Sequence, residues 1–208
     1  MTKAEIVTQI RIWIKENDST SEFTDSQIYS LVDAGLRLWM AKVKEWCGMA
    51  GFKSFTSESL AVDSDGKSAE FTTDPFLIIE AAINYGGTSY RKMKRIEGTY
   101  EEGDDRVNFA SSDRPQYRLL ATDTPAWQIE VSPHSSGTAK VRFVADPGTF
   151  ADADATIPTS MVTMAENGLA CYTAGIYWEN QGGGQTDADR CYDKAEEYLK
   201  MMPRGFRG

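Results

Sequence analysis

Histidine is nearly missing from this sequence, with His134 its one example, and cysteine is scarce at three, Cys47, Cys171 and Cys191. One imidazole and three scattered thiols without C-x-x-C spacing leave too few soft ligands for a structural zinc site. An odd cysteine count excludes a closed disulfide framework and suits a chain folded in a reducing compartment. Cys171 and Cys191 can face each other across the last two helices, and as small buried thiols they need no further role. Long apolar runs are missing too: no stretch approaches the roughly 18 uncharged apolar residues that span a bilayer. The opening Met1-Thr2-Lys3-Ala4-Glu5 has no apolar signal segment. The expectation is a soluble chain made in a cytoplasm and touching no membrane. Positive charge is the last shortage, with 22 Lys plus Arg against 31 Asp plus Glu and a net charge of -9. Such a surface repels bare nucleic acid, which argues against electrostatic capture of DNA but not against a protein that surrounds DNA without gripping it.

What is present is a dispersed 41% of apolar residues, enough for a sizeable core and against global disorder. Thr2 and Glu5 have capping-box spacing, and Ile6, Ile10, Trp13 and Ile14 form one stripe of a first helix. The polar break 17–21 follows. A second box, Thr24 to Gln27, opens a longer helix with Ile28, Leu31, Val32, Leu36, Trp39, Val43 and Trp46 at helical spacing, closed by Gly48 and Gly51.

From about Phe52 to Pro147 helical periodicity gives way to recurring turn chemistry. Short runs 59–62 and 68–71 flank Asp63-Ser64-Asp65-Gly66, and Gly86-Gly87 lies between 76–85 and 88–96 as a hairpin turn. Further strands are expected at 116–121, 127–131 and 138–144, with a loop at 132–137 between the last two. Helices return after Pro158. Thr159 or Ser160 is placed to cap a helix reaching Asn180, whose second half, Leu169 to Trp178, is apolar almost all round and so buried on several sides, by its own fold or by other subunits. Thr186 and Asp189 open a last helix with Ala188, Cys191, Tyr192, Ala195, Leu199 and Met202 on one face, stopped by Pro203.

The expected fold is α+β: one four-helix layer formed by the N- and C-terminal helix pairs, with an inserted antiparallel β-rich domain. Its boundaries are 1–51 and 157–203 for the helical domain, 52–156 for the insertion, and 204–208 for a tail.

Few chemistry-bearing residues converge in the sequence. His134 beside Ser135 and Ser136 has the residue types of a base and nucleophile, but no orienting carboxylate adjoins it, and a solvated loop explains it. Asp63-Ser64-Asp65-Gly66 resembles a calcium-loop opening without the remaining acidic ligands, and a carboxylate-capped turn accounts for it. Glu101, Glu102, Asp104 and Asp105 read as a solvated acidic loop. Gly182-Gly183-Gly184 lacks the Lys-Ser/Thr pair of a phosphate loop. Arg91, Lys92, Lys94 and Arg95, with Tyr90 and Met93, have the chemistry to contact phosphates or simply to coat an exposed strand. No catalytic residue, cofactor site or metal site is expected, and the chain is read as no enzyme.

The layout carries a resemblance. Thr24-Asp25-Ser26-Gln27-Ile28 through Leu36-Arg37-Leu38-Trp39, Asp74-Pro75-Phe76-Leu77-Ile78-Ile79, Arg114-Pro115-Gln116-Tyr117-Arg118-Leu119, Trp127-Gln128-Ile129-Glu130-Val131-Ser132-Pro133 and Val141-Arg142-Phe143-Val144-Ala145-Asp146-Pro147 follow one another as in the head-to-tail connector (adaptor) proteins of tailed phages. Nearly the whole chain resembles that family, including its tail tubular protein A type. The resemblance implies a structural subunit of a ring, commonly twelvefold, bound beneath the portal protein at the head-tail junction of the virion and made in the host cytoplasm. Implied partners are the portal, a tail nozzle or tube protein, and further copies of the chain, with genomic DNA passing through the lumen without specific binding. On this reading Pro203, Arg204, Phe206 and Arg207 dock the portal, and Leu169, Tyr172, Ile176, Tyr177 and Trp178 make contacts between subunits. The competing expectation is a carbohydrate- or other ligand-binding module, with Trp127, Tyr117, Tyr90 and Tyr100 as stacking aromatics on a β-domain with a helical base.

Overall fold

The computed structural model describes residues 1–14, 23–96, 110–122, 126–150, 160–181 and 184–203. The fold is α+β, with helices at both ends of the chain and strands between them. Two compact units divide it: a helical unit from Met1–Ser54 and Pro147–Gly208, and a β-unit from Phe55–Asp146. The β-unit thus starts a little after, and ends well before, the bounds 52 and 156 drawn from the sequence.

In the helical unit, α1 (Lys3–Trp13) and α2 (Asp25–Cys47) start where their capping boxes place them. Thr2 Oγ1 accepts the Glu5 N–H at 3.3 Å while Glu5 Oε2 accepts the Thr2 N–H at 2.7 Å. Thr24 and Gln27 repeat the exchange at 3.4 and 2.8 Å. Each pair satisfies two amides that the first helical turn leaves orphaned. A single 3₁₀ turn, Gly48–Gly51, follows α2.

The later helices begin elsewhere than expected. α3 spans Thr163–Asn180, with Val162 at its N-cap and no side-chain cap. Thr159 lies outside the described residues, and Ser160 is no cap: its carbonyl accepts the Lys53 N–H at 2.7 Å, and Val162 N–H donates to Gly51 O at 3.0 Å. This extended pairing, with the Phe52–Met161 bridge at its centre, takes up the residues that looked like a helix start. α4 (Gln185–Met201) is led by Gly184, again without a side-chain cap, so Thr186 and Asp189 sit inside its first turns.

α3 touches each of the other three helices. Its small residues explain how. A Cβ on Gly168 would stand 2.3 Å from the Trp39 ring, so glycine alone lets that indole of α2 come this close to α3. The indole N–H then donates to Ala165 O at 2.7 Å, which satisfies a fully buried donor. Tyr192 of α4 packs against Gly175 in the same manner.

The β-unit holds β1 (Thr56–Val62), β2 (Pro75–Asn84), β3 (Arg91–Lys92), β4 (Lys94–Arg95), β5 (Gln116–Ala121), β6 (Trp127–Ser132) and β7 (Gly137–Ala145). They form two sheets, ordered β1-β7-β2-β3 and β4-β5-β6. The short β4–β5 pair is parallel, so the strands are mixed rather than purely antiparallel. β6 and β7, consecutive in sequence, belong to different sheets.

The expected run 68–71 forms no ordinary strand, yet it closes the unit. Ala69 N–H donates to Ala61 O on β1, while Ser68 and Phe71 donate to Ile129 and Trp127 on β6. On the other side β3 and β4 are separated by Met93 alone, whose N–H reaches Ala81 O on β2. The hydrogen-bonded ladder therefore comes round on itself. Inside it Leu60, Phe71, Ile83, Ile129, Val141 and Phe143 form a continuous apolar core. Gly66 makes the turn into the closing segment at φ 78, and a Cβ there would meet Val131 O at 2.4 Å. The first and last strands pair directly, Thr56 opposite Phe143, so the inserted chain begins and ends at one place.

Candidate interaction surfaces

Among the described residues no group of three or more His, Cys, Asp or Glu is gathered to hold a metal ion, and no helix is long and apolar enough to cross a membrane. What the helical unit offers is exposed apolar surface. Ile12 on α1, Leu38 on α2 and Met201 on α4 are 62%, 57% and 62% exposed, with Met164 at the start of α3 and Met49 in the 3₁₀ turn about 38% exposed. Two shallow grooves flank α4. One of about 210 Å³ lies against α1, lined by Ile12, Trp13, Asp187, Arg190 and Cys191. The other, about 160 Å³, lies against α2 between Trp46 and Leu199 and is rimmed by Lys42, Glu45, Glu196 and Lys200.

The residues expected to join subunits are placed unequally. Leu169 is fully buried inside its own unit and has no surface to give another copy. Tyr172 is wedged between Trp39 and Tyr192, ring centroids 5.3 Å from each. Tyr177 meets Phe23 edge-on at 5.0 Å, and Trp178 Nε1 donates to Trp13 O at 3.4 Å. Much of the all-round apolar character of α3 is thus used by α1, α2 and α4, while Ile176, Tyr177 and Trp178 keep part of their surface. Pro203 is exposed; Arg204, Phe206 and Arg207 lie outside the described residues.

The thiols are buried. Burial, and then the nearby Cys191 sulfur, pushes the Cys171 thiol up to about 12, which keeps it protonated and inert. Burial raises Tyr192 as well, reinforced by its hydrogen bond to Glu179. Glu166, at 2% exposure, accepts from Lys53 Nζ at 2.6 Å and from the Met1 ammonium at 2.9 Å. Lys3 places its ammonium 4.5 Å above the Tyr29 ring and 5.0 Å from that of Phe150. One carboxylate and two rings thus hold cations of the chain's first residues against α2 and α3, and nothing in the sequence pattern marks them.

In the β-unit, Asp63 uses its carboxylate as a turn cap, accepting the Asp65 and Lys67 N–H groups at 2.9 Å each. His134 is not without a carboxylate, contrary to the sequence reading: Glu130 Oε1 lies 3.6 Å from its Nε2. Arg118, the cross-strand neighbour of Glu130, holds that same carboxylate, and His134 is half exposed beyond them. Of the aromatics considered for stacking, Tyr117 is 4% exposed and belongs to the core; Tyr90 and Trp127 are exposed, and Tyr100 lies outside the described residues. Arg91 pairs with Asp113 at 3.5 Å, whereas Lys92 stands beside Ala82 on β2. Compared with known proteins, the chain matches no family model and no curated relative.

Proposed function

We propose that the protein is a structural connector subunit that assembles with copies of itself into a ring between a phage portal and tail. The observation that carries this is the spread of exposed large apolar side chains over several helices of one unit, on a chain whose net charge is -9. Isolated exposed apolar residues are ordinary, but Ile12 lines a groove with Trp13, Cys191 and the charged Asp187 and Arg190, while Leu38 stands on a different helix. A protruding apolar residue at one place and a groove at another favour head-to-tail association, which closes into a ring when the rotation per subunit is right. The resemblance to head-to-tail connectors supplies the stoichiometry, commonly twelvefold, and the virion as the location.

In this reading the four helices form one layer that carries the ring contacts, through Ile176, Tyr177 and Trp178 together with Ile12 and Leu38. Pro203, Arg204, Phe206 and Arg207 reach the portal, and the β-unit meets the tail nozzle or tube protein. The negative charge suits a lumen through which DNA slides. The test is the mass of the particle formed alone and with a portal ring, by analytical ultracentrifugation and negative-stain microscopy. Rings, with Leu38→Glu reducing them to monomers, support the proposal. A chain that stays monomeric and ignores the portal overturns it.

A further inference from the structure

The outward face of the β1-β7-β2-β3 sheet is assembled from three rows of side chains that the pairing register places across neighbouring strands. The rows are Ala61–Thr138–Asn84, Ser59–Lys140–Ala82–Lys92 and Ser57–Arg142–Glu80. Thr138, Lys140 and Arg142 are exposed on this face, and Ser57, Ser59, Ala61 and Lys92 are exposed beside them. The floor is thus made of short side chains with three long cations rising from it. Two aromatics steady those cations: Lys140 Nζ lies 4.5 Å over the Tyr90 ring, and the Arg142 guanidinium 4.8 Å over Phe55. Glu80, opposite Arg142, is the one carboxylate in the three rows.

We infer that this sheet face binds the phosphate backbone of duplex DNA without reading its sequence. Nearly every polar group on it, the hydroxyls of Ser57, Ser59, Thr138 and Tyr90 and the cations of Lys92, Lys140 and Arg142, is of the kind that donates to phosphate oxygens. Lys92 and Lys140 flank Ala82 two strand spacings apart, about 10 Å, with Arg142 two residues along β7. That grid sets several positive groups against one duplex at once. A protein partner would want a desolvated aromatic or aliphatic anchor at the centre of the face. The centre here is Lys140 and Ala82, and the Phe55 and Tyr90 rings are engaged by cations. The chain's net charge of -9 averages over all faces and does not describe this one. The inference stands on the face itself and rests on the connector reading only for naming the passing genome as the DNA. Weak, sequence-independent contacts released by salt fit a strand that must slide.

The experiment is an NMR titration of the full chain with a short duplex DNA of mixed sequence. The expected result is chemical-shift change confined to residues 57–61, 80–92 and 138–142. Affinity should fall about 40-fold between about 50 and about 200 mM salt, the slope for three neutralised phosphates. The triple variant Lys92→Glu, Lys140→Glu, Arg142→Glu abolishes the shifts. Single Lys92→Gln and Lys140→Gln variants, which remove an exposed charge without reversing it, each lower the salt slope by about 0.9 and serve if the triple variant fails to fold. DNA that leaves these signals unmoved, or binds the variants equally, overturns the inference. So does movement of the same signals with protein concentration alone, which would make the face a contact between copies. Ring mass, measured on the unsubstituted chain, reports separately on the connector reading: DNA shifts without rings uphold the inference and overturn only the connector reading, and rings without DNA shifts do the reverse.

Discussion

The helical unit is built from two stretches far apart in the chain, whereas the β-unit is one continuous stretch whose first and last strands pair. The two therefore stand in different relations to chain entropy. When the β-unit is folded its ends lie side by side, and the halves of the helical unit are joined by an effectively short connection. When it is unfolded, the same halves must close a loop of the whole insertion, which costs about 4 kcal/mol at that length. The helical unit thus depends on the β-unit for its stability, and the β-unit has no matching dependence.

The sharpest way to break this asymmetry is a pair of core truncations. Trp39→Ala removes an indole that fills the groove over Gly168 and donates to Ala165, and Phe143→Ala removes a fully buried ring from the β-unit core; each should cost about 3–5 kcal/mol. Hydrogen exchange followed residue by residue should show Trp39→Ala loosening the helical unit with β-strand protection retained, and Phe143→Ala loosening both. Equal loss of protection everywhere in both variants would show one cooperative body instead. A smaller effect is expected at the turn that closes the β-ladder. Gly66→Ala forces a positive φ on alanine and drives a Cβ toward Val131 O, for about 1–3 kcal/mol, read as a lower urea midpoint of the β-unit signals.

Alkaline pH separates the units differently. Cys171 is moved from the ordinary 9.0 up to about 12, so between those values the unfolded chain has released a proton that the folded one keeps. Stability of the helical unit then falls as pH rises above 9, by at most about 1.4 kcal/mol per pH unit from this thiol. Cys47, also raised by burial, adds in the same direction. In the β-unit the raised groups are phenols, Tyr85 and Tyr117, whose effect starts only above 10. Urea titrations from pH 8 to pH 10 should therefore lower helical-unit stability first, with Cys171→Ala flattening the slope. The smallest effect belongs to a cap: Thr24→Ala should cost about 1 kcal/mol, lowering the melting temperature through α2 alone.

Legibility in the sequence followed the range of the forces involved. The starts of α1 and α2 could be read because a capping box is a conversation between residues three apart, and the same holds for the alternating runs of β5, β6 and β7. The start of α3 could not. Thr159 and Ser160 have the right chemistry for a cap, but Ser160 is drawn into pairing with Lys53, more than a hundred positions away. Likewise the run 68–71 looked like half of a hairpin, and its role in bonding to both β1 and β6 depends on where β6 lies. Glu130 beside His134 was missed although the two stand only four positions apart. The cationic face was half visible as Arg91, Lys92, Lys94 and Arg95. Register then sends Arg91 to Asp113 and Lys92 to the company of Lys140 and Arg142, a sorting that no local pattern contains.

The closing segment 66–71 has one more consequence. Strands at the rim of a sheet present unpaired amides and carbonyls to any extended chain that drifts past, and crowded copies of one protein are prone to join there. Here the rims of β1 and β6 are occupied by Ala69, Ser68 and Phe71 of the same molecule. β6 and the C-terminal end of β1 are therefore covered by the chain's own residues, which leaves less open rim for strand addition when copies are gathered densely.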